Sequence, residues 1–211
     1  MTTDMEKIAF VGDTLGVLFR FEPLSTQARP LVETFAEVDA TELAKEWPFG
    51  AQEDLQRGFE LMGKTDVSNE ALMDEYVWEF RRLFEGPGHV AVPPWGSVYT
   101  DRDCVVFGRA TLELREWMKN KGINRLEEEK NPEDHIGTML LLMSWIARNK
   151  PDCLDEFLSD HLLPWADHML AQLEEESKIC FYQGLAVVTR ASLMALHEEL
   201  GLVVKKTRFF R

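Results

Sequence analysis

Apolar residues recur along this chain at three- and four-residue intervals almost from its start, the spacing that lines one face of an α-helix. Ile8, Val11, Leu15 and Leu18 form the first stripe, Phe19 and Phe21 extend it, and Pro23 ends it. Leu31, Phe35 and Val38 predict a second helix after Pro30, a good first-turn residue because the amide it lacks would have no helical partner there. Trp47-Pro48-Phe49-Gly50 reads as a loop, and a third helix is expected over residues 53–62, stopping near Gly63. Ser68 is a candidate cap for the next helix, whose stripe runs through Leu72, Tyr76, Phe80, Leu83 and Phe84 until Gly86-Pro87 terminates it.

The pattern then breaks. Three prolines, three glycines, Trp95 and Tyr99 fall between Gly86 and Tyr99, where no helix is expected to continue. An aromatic-bearing connection of this kind marks either a packed interhelical loop or a place where something binds or two lobes meet. Asp101 or Asp103 can cap a helix over residues 104–120. Asn131-Pro132-Glu133-Asp134 reads as the clearest helix start: a cap, a first-turn Pro and two acids in the positive first turn. Ile136, Met139, Leu140, Leu142, Met143, Ile146 and Ala147 make the following helix apolar nearly all round, which predicts a core position. Residues 154–176 read as helix, bent or broken near Pro164, and residues 181–200 as a last helix ending at Gly201, with a basic tail from Lys205 to Arg211. With no period-2 pattern, the expected fold is all-α: one globular helical domain over residues 1–211, of about eight to ten helices. The connection at about 86–100 is its candidate hinge between two lobes.

Charge narrows the partners. Against 23 basic residues stand 37 acidic ones, for a net charge of −14. No basic stripe is present for nucleic acid, whereas an acidic surface attracts cations, basic peptides included. Residues 1–7 carry no basic segment followed by an apolar run, and no apolar stretch is long enough to span a bilayer, so neither a secretory signal nor an integral membrane protein is expected. Cys104, Cys153 and Cys180, widely spaced, suggest reduced thiols and a cytoplasmic setting.

Catalytic motifs are absent: there is no phosphate loop, no GxSxG elbow and no HExxH. Gly12-Asp13-Thr14-Leu15-Gly16 lies inside an amphipathic stripe, where its amides are committed to the helix. The histidines lack metal-ligand spacing, and His161 and His168 read as surface or capping residues. No metal, cofactor or catalytic residue is assigned. Asp134-His135 is the sharper pair, able to meet a cation or to serve as acid and base, with plain helix capping as its structural alternative. Tyr76, Phe80 and Phe84 read as core on spacing alone. Together with the Trp95/Tyr99 loop, they also fit the floor of a groove for a peptide.

Three segments in order, Phe80-x-x-Leu83-Phe84-x-Gly86-Pro87, Pro93-Pro94-Trp95-Gly96-Ser97-Val98-Tyr99 and Asn131-Pro132-Glu133-Asp134-His135-Ile136-Gly137, resemble the TorD/DmsD family of chaperones dedicated to molybdoenzymes. Asp101-Arg102, Phe107-Gly108, Leu114-Arg115-x-Trp117-Met118, Leu163-Pro164-Trp165, Phe181-Tyr182 and the Arg208-Phe209-Phe210-Arg211 ending continue the likeness, as do Gly16-x-Leu18-Phe19 and Pro23 earlier. The run through Trp95 looks most like the DmsD branch. The resemblance implies an all-helical, non-enzymatic protein of the cytoplasm. Such a protein binds the twin-arginine leader of a molybdopterin-containing catalytic subunit, here of dimethyl sulfoxide reductase type, and holds it until cofactor insertion and before Tat export. Tat translocase components are further partners it implies. Carried over position by position, the leader-binding residues are Phe80, Leu83, Phe84, Trp95, Tyr99, Gly108, Asp134 and His135.

This sequence departs from the family pattern at Asn131 (usually an acid), Phe80 (often Trp), Gly88-His89 and Arg20, which bears on the client more than on the family. A same-family chaperone for a trimethylamine N-oxide or selenate reductase is the alternative. A hydrolase or nucleotide-dependent enzyme using Asp134 and His135 is the rival from another class.

Overall fold

The computed structural model describes residues 2–86, 88–124 and 132–211, so the cap expected at Asn131 and the stop at Pro87 lie outside the described residues. Among those described, regular structure is helical, apart from one antiparallel bridge between Trp95 and His135. In chain order the helices are α1 (Thr2–Arg20), α2 (Arg29–Glu37), α3 (Ala40–Glu46), α4 (Gln52–Met62), α5 (Glu70–Phe80), α6 (Gly96–Thr100), α7 (Arg109–Asn120), α8 (Ile136–Asn149), α9 (Leu154–Phe157), α10 (Leu163–Glu176) and α11 (Cys180–Glu199). A π turn at Arg81–Glu85 prolongs α5, and another at Leu158–Leu162 links α9 to α10 just ahead of Pro164, where the bend was expected.

Several local expectations are corrected. The cap of α5 is Asn69, whose side-chain Oδ1 accepts from the amides of Ala71 and Leu72, while Ser68 turns its hydroxyl to Asp66. The stretch expected to hold no helix contains α6. α7 begins five residues later than expected; Asp101 caps it from outside by accepting from the Arg109 amide. α8 begins at Ile136 with His135 as its cap, so Glu133 and Asp134 precede the helix and are not part of its first turn.

Packing divides the chain into two compact units. The first holds the residues up to Gly16, Pro94–Asp167 and Leu200–Arg211; the second holds Val17–Pro93 and His168–Glu199. The chain passes between them within α1, between Pro93 and Pro94, within α10 and after α11, so the connection at 86–100 is one crossing of four.

In the first unit α8 is buried on nearly every side, as its composition predicts. It meets α1 backbone to backbone: a Cβ added at Gly12 would fall 2.5 Å from the Leu140 carbonyl oxygen and 3.0 Å from the Ser144 amide nitrogen. Across the same crossing Arg148 holds Asp13 at 2.7 Å and Ser144 Oγ at 2.8 Å.

The second unit centres on α11 crossing α4; Phe35 stacks on Phe59, Trp47 meets Phe59 edge-on, and the Trp47 indole donates to Ser192 Oγ at 2.9 Å. At this crossing a Cβ on Gly184 would strike the Gly58 carbonyl and lie 2.9 Å from the Met62 amide. Gly184→Ala would gain about 1 kcal/mol of helix propensity. The obstructing atoms are backbone and cannot rotate away, so a steric cost of about 2–3 kcal/mol wins. A net loss of about 1–2 kcal/mol in a urea melt is expected; an unchanged or higher midpoint would show that α4 and α11 separate at no cost.

Candidate functional site

Phe80, Leu83 and Phe84 lie in the second unit, where α5 and its π turn direct them inward. Gly86, at φ +89°, ends the turn in a conformation that favours glycine. The carbonyls of Arg82 and Leu83, left over by the end of the helix, accept from the amides of Ala91 and Val92 at 3.0 Å each. Phe80 packs edge-on against Phe84 at 5.2 Å between centroids, and Phe84 meets Phe19 at 5.8 Å and Tyr182 at 6.1 Å. None of the three is more than 1% exposed. Tyr76 is buried as well, so Tyr76, Phe80 and Phe84, expected as the floor of an open groove, are enclosed by packing in this structure.

The other sequence-nominated residues lie in the first unit, and most converge there. The Ile136 amide donates to the Pro94 carbonyl at 2.7 Å, and the Gly96 amide to the Asp134 carbonyl at 3.0 Å, which pins the Pro94–Ser97 segment along residues 134–136. Trp95 and His135 thereby sit side by side, rings 5.8 Å apart and both partly exposed. His135 Nδ1 accepts from the Gly137 amide at 3.1 Å. Tyr99 is fully buried, stacked on Trp165 at 6.1 Å. Gly108 precedes α7 where a Cβ would strike Asp101 Oδ2 and lie 3.1 Å from Ser97 Cβ, so its role is to let two segments approach.

Asp134 is the centre of this group. At 2% exposure, its Oδ2 accepts from the Ser97 amide at 2.7 Å and its Oδ1 from the Thr111 hydroxyl at 2.7 Å. Burial pushes its carboxyl above the usual range, and the bonds from Ser97 and Thr111 oppose this without cancelling it. Beside it Glu133 is held by Arg115 at 2.6 Å, and the Arg115 guanidinium lies 5.3 Å from the centroid of Phe107.

Asp134 lines a cavity of about 210 Å³. Glu113 of α7, Met139 of α8, Asp160 and His161 of the second π turn and Trp165 of α10 form its walls, and Lys205, Lys206 and Arg208 of the tail complete them. His161 is no surface residue: it packs 5.1 Å from the Trp117 ring, and burial pushes its imidazole below the usual range, leaving it neutral at pH 7. Glu113 bonds Arg109 at 2.6 Å and Lys205 at 3.1 Å. These lining groups were missed in the sequence because they come from separate segments that only folding brings together; of them, only the basic tail is singled out there.

Next to the cavity the loop 102–107 carries Val105, Val106 and Phe107, each at least 40% exposed. Cys104 and Phe107 are held at φ +49° and +65°, costly for side-chain-bearing residues and characteristic of functional segments. Cys104 Sγ lies 3.8 Å from the Phe210 carbonyl, which ties this loop to the tail. Among the described residues no cluster of His, Cys, Asp or Glu is placed to hold a metal ion, and no helix is long and apolar enough to cross a membrane.

Residues 50–171 match the family pattern described as nitrate reductase delta subunit. Over the full length of both chains, this chain is 32% identical to the probable Tat proofreading chaperone DmsD of Haemophilus influenzae, and 35% identical to the Tat proofreading chaperone DmsD of Salmonella typhimurium. It is 28% identical, over 93% of its length and 97% of the relative's, to the chaperone protein YcdY of Escherichia coli.

Proposed function

The chain belongs to the TorD/DmsD family that the nitrate reductase delta subunit pattern describes, and on that premise we propose that it is a redox-enzyme maturation chaperone which captures a twin-arginine leader in its first unit. The client we assign is a molybdopterin-containing catalytic subunit of dimethyl sulfoxide reductase type, held in the cytoplasm until its cofactor is in place and then passed to the Tat translocase. The observation that carries the leader reading is Asp134: a carboxylate only 2% exposed at the wall of a cavity. A carboxylate that burial makes reluctant to ionise gains most from an incoming guanidinium. Asp160 and Glu113 add to the negative wall.

A twin-arginine leader carries an Arg pair followed by an apolar stretch. The cations suit the cavity, and the stretch suits the exposed Val105-Val106-Phe107 loop and the partly exposed Trp95 and His135. Tyr99, Gly108, Phe80, Leu83 and Phe84 then act by shaping and supporting their own units. The same geometry lends less support to an enzyme, because the Asp134 oxygens already accept from Ser97 and Thr111.

The test is calorimetric titration of the protein with leader peptides from dimethyl sulfoxide, trimethylamine N-oxide and selenate reductases, each with its Arg pair intact or replaced by Lys or Ala. Binding that is strongest for the first leader and falls about 10-fold on loss of the Arg pair, equivalent to about 1.4 kcal/mol, is the expected result. Equal binding of all sequences would remove the client assignment, and no binding of any leader would remove the function.

A further inference from the structure

The cavity beside Asp134 is lined in part by the chain itself. Residues 205–210 run across it without helical structure, anchored at one end by the Lys205 amide on the Ser159 carbonyl at 3.0 Å and at the other by the Phe210 amide on the Tyr99 carbonyl at 2.9 Å. Lys205 Nζ adds an ion pair to Glu113 at 3.1 Å, and the Arg208 guanidinium lies over the Phe210 ring at 5.0 Å. Between the anchors Lys206, Arg208 and Phe209 are exposed to solvent.

The composition of this segment, Lys-Lys-Thr-Arg-Phe-Phe, is that of an extended peptide with cations first and rings after. Without Lys205, Lys206 and Arg208, the charged lining is Glu113, Asp134 and Asp160 against Arg109 and the largely neutral His161, a surface that favours cations. The tail therefore meets the cavity with the chemistry we assign to the leader.

We infer that the cavity is a receptor for extended peptides of cations and rings, and that segment 205–210 is its resident occupant, displaced when a leader binds. The displacement rests on the leader reading above; the occupancy stands on the tail's own contacts. Two backbone bonds, the Cys104 thiol on the Phe210 carbonyl and the Lys205–Glu113 ion pair are among the contacts that hold the tail. An exposed ion pair of this kind is weakened by water and salt, which favours exchange with a competing peptide. Self-occupancy also masks the carboxylate wall from unrelated cations, and it lowers apparent affinity in proportion to the time the tail is seated. A tail seated about nine-tenths of the time weakens a leader about 10-fold.

The experiment uses the full chain. Lys205→Pro combined with Phe210→Pro deletes the two anchoring amides, and a circular dichroism melt confirms that the variant is folded. If it does not fold, Lys205→Glu, which faces Glu113 with a like charge, takes its place. Two probes are titrated into wild type and variant: a twin-arginine leader peptide and a synthetic peptide of residues 203–211. The expected result is a leader bound about 10-fold more tightly by the variant, with the tail peptide binding the variant and competing with the leader. Equal leader affinities, with no binding of the tail peptide to the variant, would overturn self-occupancy and leave the leader reading standing. A tail peptide that binds the variant while no leader binds either protein would do the reverse. If neither probe binds either protein, both inferences fall.

Discussion

Phe84→Ala is expected to destabilise the protein by about 3–5 kcal/mol while leaving the leader affinity of the remaining folded protein within about 2-fold of wild type. The ring is 1% exposed and is clasped by Phe19, Phe80 and Tyr182 at centroid separations of 5.2–6.1 Å, in edge-on arrangements. Truncation removes its burial together with three aromatic contacts and leaves a cavity, since the neighbouring rings are fixed by one another and by the Tyr182 hydroxyl donating to the Tyr76 carbonyl at 2.9 Å. Trp95→Ala is the companion measurement: its partly exposed ring makes the stability cost smaller and the effect on leader affinity larger. Urea melts report stability, and titration at a temperature where both variants are folded reports affinity. A Phe84→Ala protein of unchanged stability that no longer binds leader would mean that the ring leaves the core to meet the peptide, and the assignment of the site to the first unit alone would fail.

The contrast between Phe84 and Trp95 shows how far a single chain is legible. The helical stripes were readable because burial imposes its period directly on residue type: Ile8, Val11, Leu15 and Leu18 are all buried in α1, as their spacing requires. Helix starts were less so, because a local signal can be claimed by a distant partner. Pro132-Glu133-Asp134 has the composition of a first turn, yet Asp134 is taken by Ser97 and Thr111 and Glu133 by Arg115, and residues 133–134 form a separate turn before His135 caps α8. α3 went unread although Asp39 carries the cap signal, because a seven-residue helix that buries only Ala44 leaves almost no stripe. The nominated site divided in the same way. Asp134 and His135 were nominated from their own sequence neighbourhood, whereas Glu113, Asp160 and His161 become neighbours only through folding. Aromatic spacing, for its part, could not separate a ring that floors a groove from one that fills a core.

Replacing Asp134 separates its two roles, and here amide and methyl should behave in opposite ways. In Asp134→Asn the side-chain carbonyl still accepts from the Ser97 amide, and the new NH2 can donate to the Thr111 oxygen, so the bonds survive and the charge does not. Stability is expected to change by less than about 1 kcal/mol, while leader affinity falls about 10-fold. Asp134→Ala instead strands a buried amide and a buried hydroxyl at about 1–3 kcal/mol each, and a loss of about 3–4 kcal/mol is expected. The pH dependence follows from the raised carboxyl. Because the folded state holds this proton more tightly than the unfolded chain, whose Asp titrates near pH ~3.9, its contribution to stability is complete below that pH. It is lost as pH climbs through the higher folded value, and Asp134→Asn should lack that decline. Leader binding should run the other way, strengthening over the same window in wild type as the carboxylate becomes available to the guanidinium and staying flat in Asp134→Asn. If wild type and Asp134→Asn bind leader equally at every pH, the buried acid is a brace for Ser97 and Thr111 and nothing more, and the cation must be met by Glu113 or Asp160 instead.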